Sequence, residues 1–169
     1  WVLKLDASGN KVWEQLYGGI DEEYDAGLAV TSDGGFVLTG STYSWFGPGN
    51  KTSAGRGPWL VRADAEGTLL WDRILPTFCG YFTVPNVSSI EPLEDGSVRL
   101  GFYYQADCCG GVPCAYAFLD ISRWDVHANA QREVSVEYDD IEASPYDADT
   151  LVAVRRTGDG GYLVGLQAY

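Results

Sequence analysis

The sequence repeats itself, and internal repetition restricts a fold more than composition does. Trp1-Val-Leu-Lys-Leu-Asp6-Ala-Ser-Gly9-Asn-Lys-Val-Trp13-Glu returns as Trp59-Leu-Val-Arg-Ala-Asp64-Ala-Glu-Gly67-Thr-Leu-Leu-Trp71-Asp, with both Trp positions, the Asp and the Gly in register. A degraded third copy reads from Ala115 as Ala-Tyr-Ala-Phe-Leu-Asp120, placing His127 at its second Trp position and no Gly at its turn. A second motif recurs independently. Asp33-Gly34-Gly35-Phe36 with Gly40 matches Asp95-Gly96-Ser97-Val98 with Gly101, and matches Asp159-Gly160-Gly161-Tyr162 with Gly165. Thr31 and Thr157 stand two residues before the Asp of their copies.

Each motif reads as a hairpin. Residues 1–6 and 11–16 alternate around Ala-Ser-Gly-Asn, and 26–31 and 36–42 flank Ser-Asp-Gly-Gly. The Gly positions supply the positive φ that tight hairpin turns require. Glycines interrupt every stretch with helical period. The expected class is all-β, with three units of four antiparallel strands at 1–58, 59–114 and 115–169. Four strands per ~50 residues is the pattern of a β-propeller blade.

The W-x4-D-x2-G-x3-W and D-G-G-[FY] motifs resemble the secreted bacterial and archaeal propeller repeats grouped with the quinoprotein-like and kelch-like families. Asp-x-x-Gly-x-x-x-Trp also resembles the tryptophan-docking motif of quinoprotein dehydrogenases, where the Trp packs between neighbouring blades. The resemblance implies a fold; propellers host many unrelated functions. Three blades do not close a ring, so the expected partners are further blades of the same chain or copies of itself.

The formal net charge of −13 repels phosphate backbones and anionic lipid, which argues against nucleic-acid binding. Hydrophobic residues make up 46% of the chain, yet no run is long enough for a membrane span. A start at Trp1 with no Met anywhere reads as a processed or excised piece. Four cysteines (Cys79, Cys108, Cys109, Cys114) suit an oxidising compartment. Asn50-Lys-Thr and Asn86-Val-Ser are glycosylation sequons. The expected location is extracellular or at the cell surface.

In a meander, the short turns (7–10, 32–35, 65–68, 94–97) gather at one edge. The long segments 17–25, 43–58, 74–88, 103–114 and 133–149 gather at the other, where binding residues tend to lie. That second edge carries both sequons, all four cysteines and two acidic clusters. The clusters are Asp21-Glu-Glu-Tyr-Asp25, and Glu137-Tyr-Asp-Asp140 with Glu142, Asp147 and Asp149. They offer the oxygen ligands Ca²⁺ takes, but neither follows the D-x-[DN]-x-[DN]-G spacing with a distal Glu, so solvated charge is the reading.

Cys79 is expected to pair with one of Cys108, Cys109 or Cys114, and the other two with each other. Which pairing holds stays open. Vicinal Cys108-Cys109 resembles the vicinal disulfide of quinoprotein alcohol dehydrogenases, although Asp-Cys-Cys-Gly-Gly-Val-Pro-Cys departs from that family. The cysteines lack zinc-knuckle spacing. His127 reads as a substituted packing position, the tryptophans as blade core. Tyr43, Trp45 and Tyr103 are candidate partner contacts.

No nucleophile elbow or metal motif is present, and no catalytic residue or cofactor is expected. The leading expectation is a non-catalytic structural or adhesive module of a surface, sheath or filament. The competing expectations are a fragment of a PQQ- and Ca²⁺-dependent quinoprotein dehydrogenase, and a glycan-binding propeller using Tyr43, Trp45 and Tyr103 as stacking platforms.

Overall fold

Apolar and polar residues alternating between glycine-marked turns favour antiparallel strands, because each strand then has one face to bury. A computed structural model describes residues 1–45, 49–75, 86–106, 116–138 and 150–167. It is all-β, with no helix among the described residues. The strands are β1 (Val2–Leu5), β2 (Lys11–Gln15), β3 (Glu23–Val30), β4 (Phe36–Thr42), β5 (Gly57–Ala63) and β6 (Leu69–Ile74). They continue as β7 (Asn86–Pro92), β8 (Val98–Ala106), β9 (Tyr116–Trp124), β10 (Ala130–Tyr138), β11 (Thr150–Arg156) and β12 (Tyr162–Gln167).

Hydrogen bonding divides these strands into two four-stranded sheets, β3-β4-β5-β6 and β7-β8-β9-β10, and two hairpins, β1-β2 and β11-β12. The sheets are therefore phased two strands later than units 1–58, 59–114 and 115–169. The reason is cross-strand pairing. Strand β4 pairs with β5 along its whole length, from Phe36↔Ala63 to Thr42↔Gly57, despite the long connection between them. Likewise β8 pairs with β9 from Val98↔Trp124 to Ala106↔Tyr116. A long loop does not end a sheet when the strands it joins match in register.

Several segments read as loops are strands. Residues 103–106 extend β8, 133–138 belong to β10, and Asn86 opens β7, paired with Tyr103.

The tight turns follow two designs. In the first, an Asp closes a five-residue turn: Asp6 N–H bonds Asn10 O at 2.9 Å, Asp64 N–H bonds Thr68 O at 3.0 Å, and Asp125 N–H bonds Asn129 O at 3.0 Å. The side chain caps the same turn, Asp6 Oδ1 accepting Ser8 N–H and Asn10 N–H, both at 2.8 Å. The fourth turn residue has positive φ: Gly9 at 83°, Gly67 at 83° and Ala128 at 65°.

This corrects the reading of the third copy. Its turn is Asp125–Asn129, not one following Asp120, and Ala128 takes the left-handed place of the missing Gly. His127 is an exposed turn residue and fills no packing position. Asp125 can cap because Asn129 supplies both the backbone and side-chain bonds that Asn10 supplies to Asp6.

In the second design, Asp33 Oδ1 accepts Thr31 Oγ1–H at 2.6 Å and Gly35 N–H at 3.1 Å. Asp159 repeats this with Thr157 and Gly161. Asp95 lacks the threonine, and the Ser97 hydroxyl takes over its bond.

Among the described residues, two apolar clusters fill spaces between sheets. Val37 and Leu60 on one face of β3–β6 meet Val98, Leu100, Phe102 and Trp124 of β7–β10. On the opposite face, Tyr17, Phe36, Trp59, Val61 and Ala63 form a second cluster that Val2 and Trp13 of the β1–β2 hairpin cover. First strands lie side by side, β3 against β7 and β7 against β11. Not every tryptophan is core: Trp59 and Trp124 are buried, Trp13 and Trp71 half-buried, and Trp1 largely exposed.

Candidate binding surface

The long connection between β4 and β5 is held to the scaffold by a buried carboxylate. Asp72, on β6, accepts Trp59 Nε1–H at 2.7 Å, Ser53 Oγ–H at 2.5 Å, Ser53 N–H at 3.0 Å and Thr52 N–H at 3.1 Å. Burial pushes its pKa up, but these bonds outweigh burial and hold it below the usual carboxylate range. Lys51 donates to the Ser53 and Gly55 carbonyls; burial lowers its pKa, against the pull of Asp72 and Glu23.

Glu23, from the first acidic cluster, is spent on structure too. Its Oε1 accepts Gly19 N–H at 3.1 Å and the hydroxyls of Thr42 and Ser44, each at 3.0 Å. Glu22 accepts the Tyr24 hydroxyl. No group of three or more potential metal ligands occurs among the described residues. Glu137 lies on β10 with its side chain outside the described residues, and Asp139, Asp140, Glu142, Asp147 and Asp149 lie outside them altogether.

Asn50 is tied down rather than free. Its Oδ1 accepts Gly18 N–H at 3.1 Å and its Nδ2 donates to Leu16 O at 2.6 Å, which pins the β2–β3 connection to the β4–β5 connection. The Asn86 and Tyr103 side chains, and all of Cys79, Cys108, Cys109 and Cys114, lie outside the described residues.

Between these anchors an aromatic surface faces solvent. Tyr24 and Tyr43 meet edge to face with centroids 5.7 Å apart, and Arg56 stands 5.8 Å over the Trp45 ring. All three aromatics are exposed. Tyr24 also lines a cleft of about 140 Å³, shared with Trp1, Tyr17, Glu23 and Trp59. Thr39 lines it too, and its buried hydroxyl has no partner among the described residues. Tyr43 and Trp45 were legible from their loop; Tyr24 and Thr39 were not, because only pairing of β3 with β4 brings them to one cleft.

No protein-family model matches the chain, and no curated protein matches it either. The chemistry has to be read from its own residues.

A second polar network escaped the sequence. Arg99 donates to Glu91 and Glu133, both at 2.6 Å, and Glu133 also accepts the Tyr162 hydroxyl at 2.9 Å. It joins β7, β8, β10 and β12. Burial lowers the Arg99 pKa, but the two carboxylates outweigh it and raise the net value. Burial pushes Glu133 up, but Arg99 and Tyr162 bring it down on balance. Such a network binds sheet to sheet and presents no free acid or base.

The repeated tryptophans act between sheets. Trp13 Nε1–H donates to Ala65 O at 3.2 Å, and Trp71 Nε1–H donates to Val126 O at 2.9 Å. Ala65 and Val126 each follow the capping Asp of the next turn. Beside the first contact, the Tyr17 hydroxyl donates to Gly67 O at 2.5 Å, and burial, with Asp64 adding, pushes its pKa up to about 12.

Proposed function

We propose that this chain is part of a non-catalytic extracellular scaffold of β-propeller type, serving a structural or adhesive role. The observation that carries the reading is the repeated docking of one unit's tryptophan on the next unit's turn, Trp13 on Ala65 and Trp71 on Val126. A contact that each unit makes with its successor suits an extended or circular array. The acidic groups Glu23, Asp72 and Glu133, which could have served catalysis, are consumed by hydrogen bonds within the scaffold.

Incubation of the purified chain with PQQ and Ca²⁺ tests this against the quinoprotein alternative. No dye-linked alcohol oxidation is expected, and turnover would sink the scaffold reading. A glycan-binding role is the second reading, favoured by the exposed Tyr24, Tyr43 and Trp45. Saccharides stack on such rings. Its measurement is a glycan array in which Trp45→Ala abolishes any signal.

A further inference from the structure

The β4–β5 connection carries an arginine that the scaffold does not use. Arg62, Arg99 and Arg123 each bridge carboxylates of the sheets. Arg56 is exposed, has no carboxylate partner among the described residues, and stands 5.8 Å over the Trp45 ring. Even with the guanidinium there, Trp45 is 53% exposed. The repeated motif begins at Trp59, so neither residue belongs to it. We propose that Trp45 and Arg56 together bind a carboxylate-bearing saccharide, a uronic acid unit whose ring stacks on the tryptophan while its carboxylate pairs with the arginine.

The backbone presets the position of Arg56. Gly55 and Gly57 flank it at φ 108° and 127°. The other positive-φ glycines among the described residues, Gly9, Gly34, Gly67, Gly96 and Gly160, all sit in hairpin turns, where chain reversal requires them. No hairpin turn passes through Arg56, since Gly57 opens β5. Positive φ is disfavoured for residues with a Cβ, and strained backbone of this kind gathers at ligand sites. Crowding does not explain Gly55, because an added Cβ would come no nearer than 3.9 Å, to Ile74.

The loop is also bonded to itself and to the sheet. Gly55 N–H donates to Trp45 O at 3.4 Å, and Gly55 O accepts from Lys51 Nζ at 3.0 Å. Asp72 holds Thr52 and Ser53. Ring and guanidinium are therefore carried on one anchored segment, which leaves little ordering for a ligand to bring about.

The two groups select different parts of one ligand. A planar guanidinium fork matches a carboxylate, and the C–H face of a pyranose matches an indole ring. An acidic peptide side chain would engage Arg56 and leave the ring face wet. The net charge of −13 narrows the ligand further. Charges beyond ~8 Å are screened at physiological ionic strength, so one carboxylate feels chiefly Arg56, whereas a long polyuronate meets repulsion from the rest of the surface. A single or terminal uronate is the form that fits.

The proposal rests on the glycan-binding reading and names its ligand. Calorimetric titration of the chain with cellobiose and lactose, each compared with the form whose terminal hexose is the uronate, tests it. The members of a pair differ only in a hydroxymethyl group against a carboxylate. The uronate of at least one pair is expected to bind about tenfold tighter than its neutral partner, with the advantage shrinking as salt rises. Arg56→Gln should bring the pair to equal affinity without weakening the neutral sugar. Trp45→Ala should abolish binding of both, with circular dichroism showing each variant folded.

Equal affinity of the native chain within both pairs would overturn the uronate assignment and leave glycan binding standing. So would an Arg56→Gln chain that keeps the preference. A glutamate dipeptide that binds as tightly as the uronate would also overturn it, because Arg56 would then recognise charge alone. Failure of all four sugars to bind the folded native chain would overturn the uronate site and the glycan reading together.

Discussion

The β1–β2 hairpin and the β5–β6 pair carry the same motif and live in different surroundings. Strand β5 lies between β4 and β6 and is buried through almost its whole length, while β1 has β2 on one side only and is mostly exposed. Asp72 and its counterpart Glu14 show the consequence. Asp72 is fully buried and gathers the Thr52, Ser53 and Trp59 donors, whereas Glu14 is exposed and meets Lys11 at 3.0 Å. The comparison teaches that a repeated motif specifies the strand and the turn, and that the neighbouring strand decides what the side chains are worth.

The largest expected divergence between the two regions is apolar. Leu60→Ala should destabilise by about 2–5 kcal/mol, because a completely buried leucine leaves a cavity. Leu3→Ala should stay within about 0.5 kcal/mol for the isolated chain, as exposed positions do. Urea unfolding midpoints at unchanged slope check both. Equal costs would show that β1 is already covered in solution.

A second divergence depends on pH. The folded pKa of Asp72 is lowered, so its stabilising effect is complete above the unfolded value of about 3.9 and fades as pH falls through the folded value. Asp72→Asn should therefore cost about 1–3 kcal/mol at neutral pH and progressively less below pH ~4. Glu14→Gln should change little at any pH, being an exposed pair. Unfolding of both variants measured across pH 2 to 7 would separate them, and a pH-independent Asp72→Asn cost would contradict the account.

The smallest difference concerns the turns. Gly9 and Gly67 share a φ of 83°, so alanine brings about 1–2 kcal/mol of left-handed strain at either. Around Gly9 an added Cβ meets nothing, while at Gly67 it would lie 2.9 Å from Gln15 Cγ and 3.2 Å from the Trp13 ring. Gly67→Ala should therefore exceed Gly9→Ala, by an amount thermal melts can compare directly. Equal effects would mean that Trp13 does not press on the turn.

The sequence by itself determined the all-β class, the hairpins and most of their turns. Those depend on contacts a few residues apart: Asp33 with Thr31 and Gly35, or Asp6 with Asn10, are spelled out locally. The third copy escaped because Ala128 holds its turn without glycine, and only the bonds of Asp125 reveal it. At the candidate surface, Tyr43 and Trp45 could be named from a loop, whereas Tyr24, Thr39 and the Arg99–Glu133–Tyr162 network come together across strands far apart in the chain. Tertiary structure alone decided which hairpins share a sheet. Loop length is blind to that choice: the pairing of β4 with β5 rests on register and on burying Val37, Leu60 and Val61, energies that exist only once the strands meet.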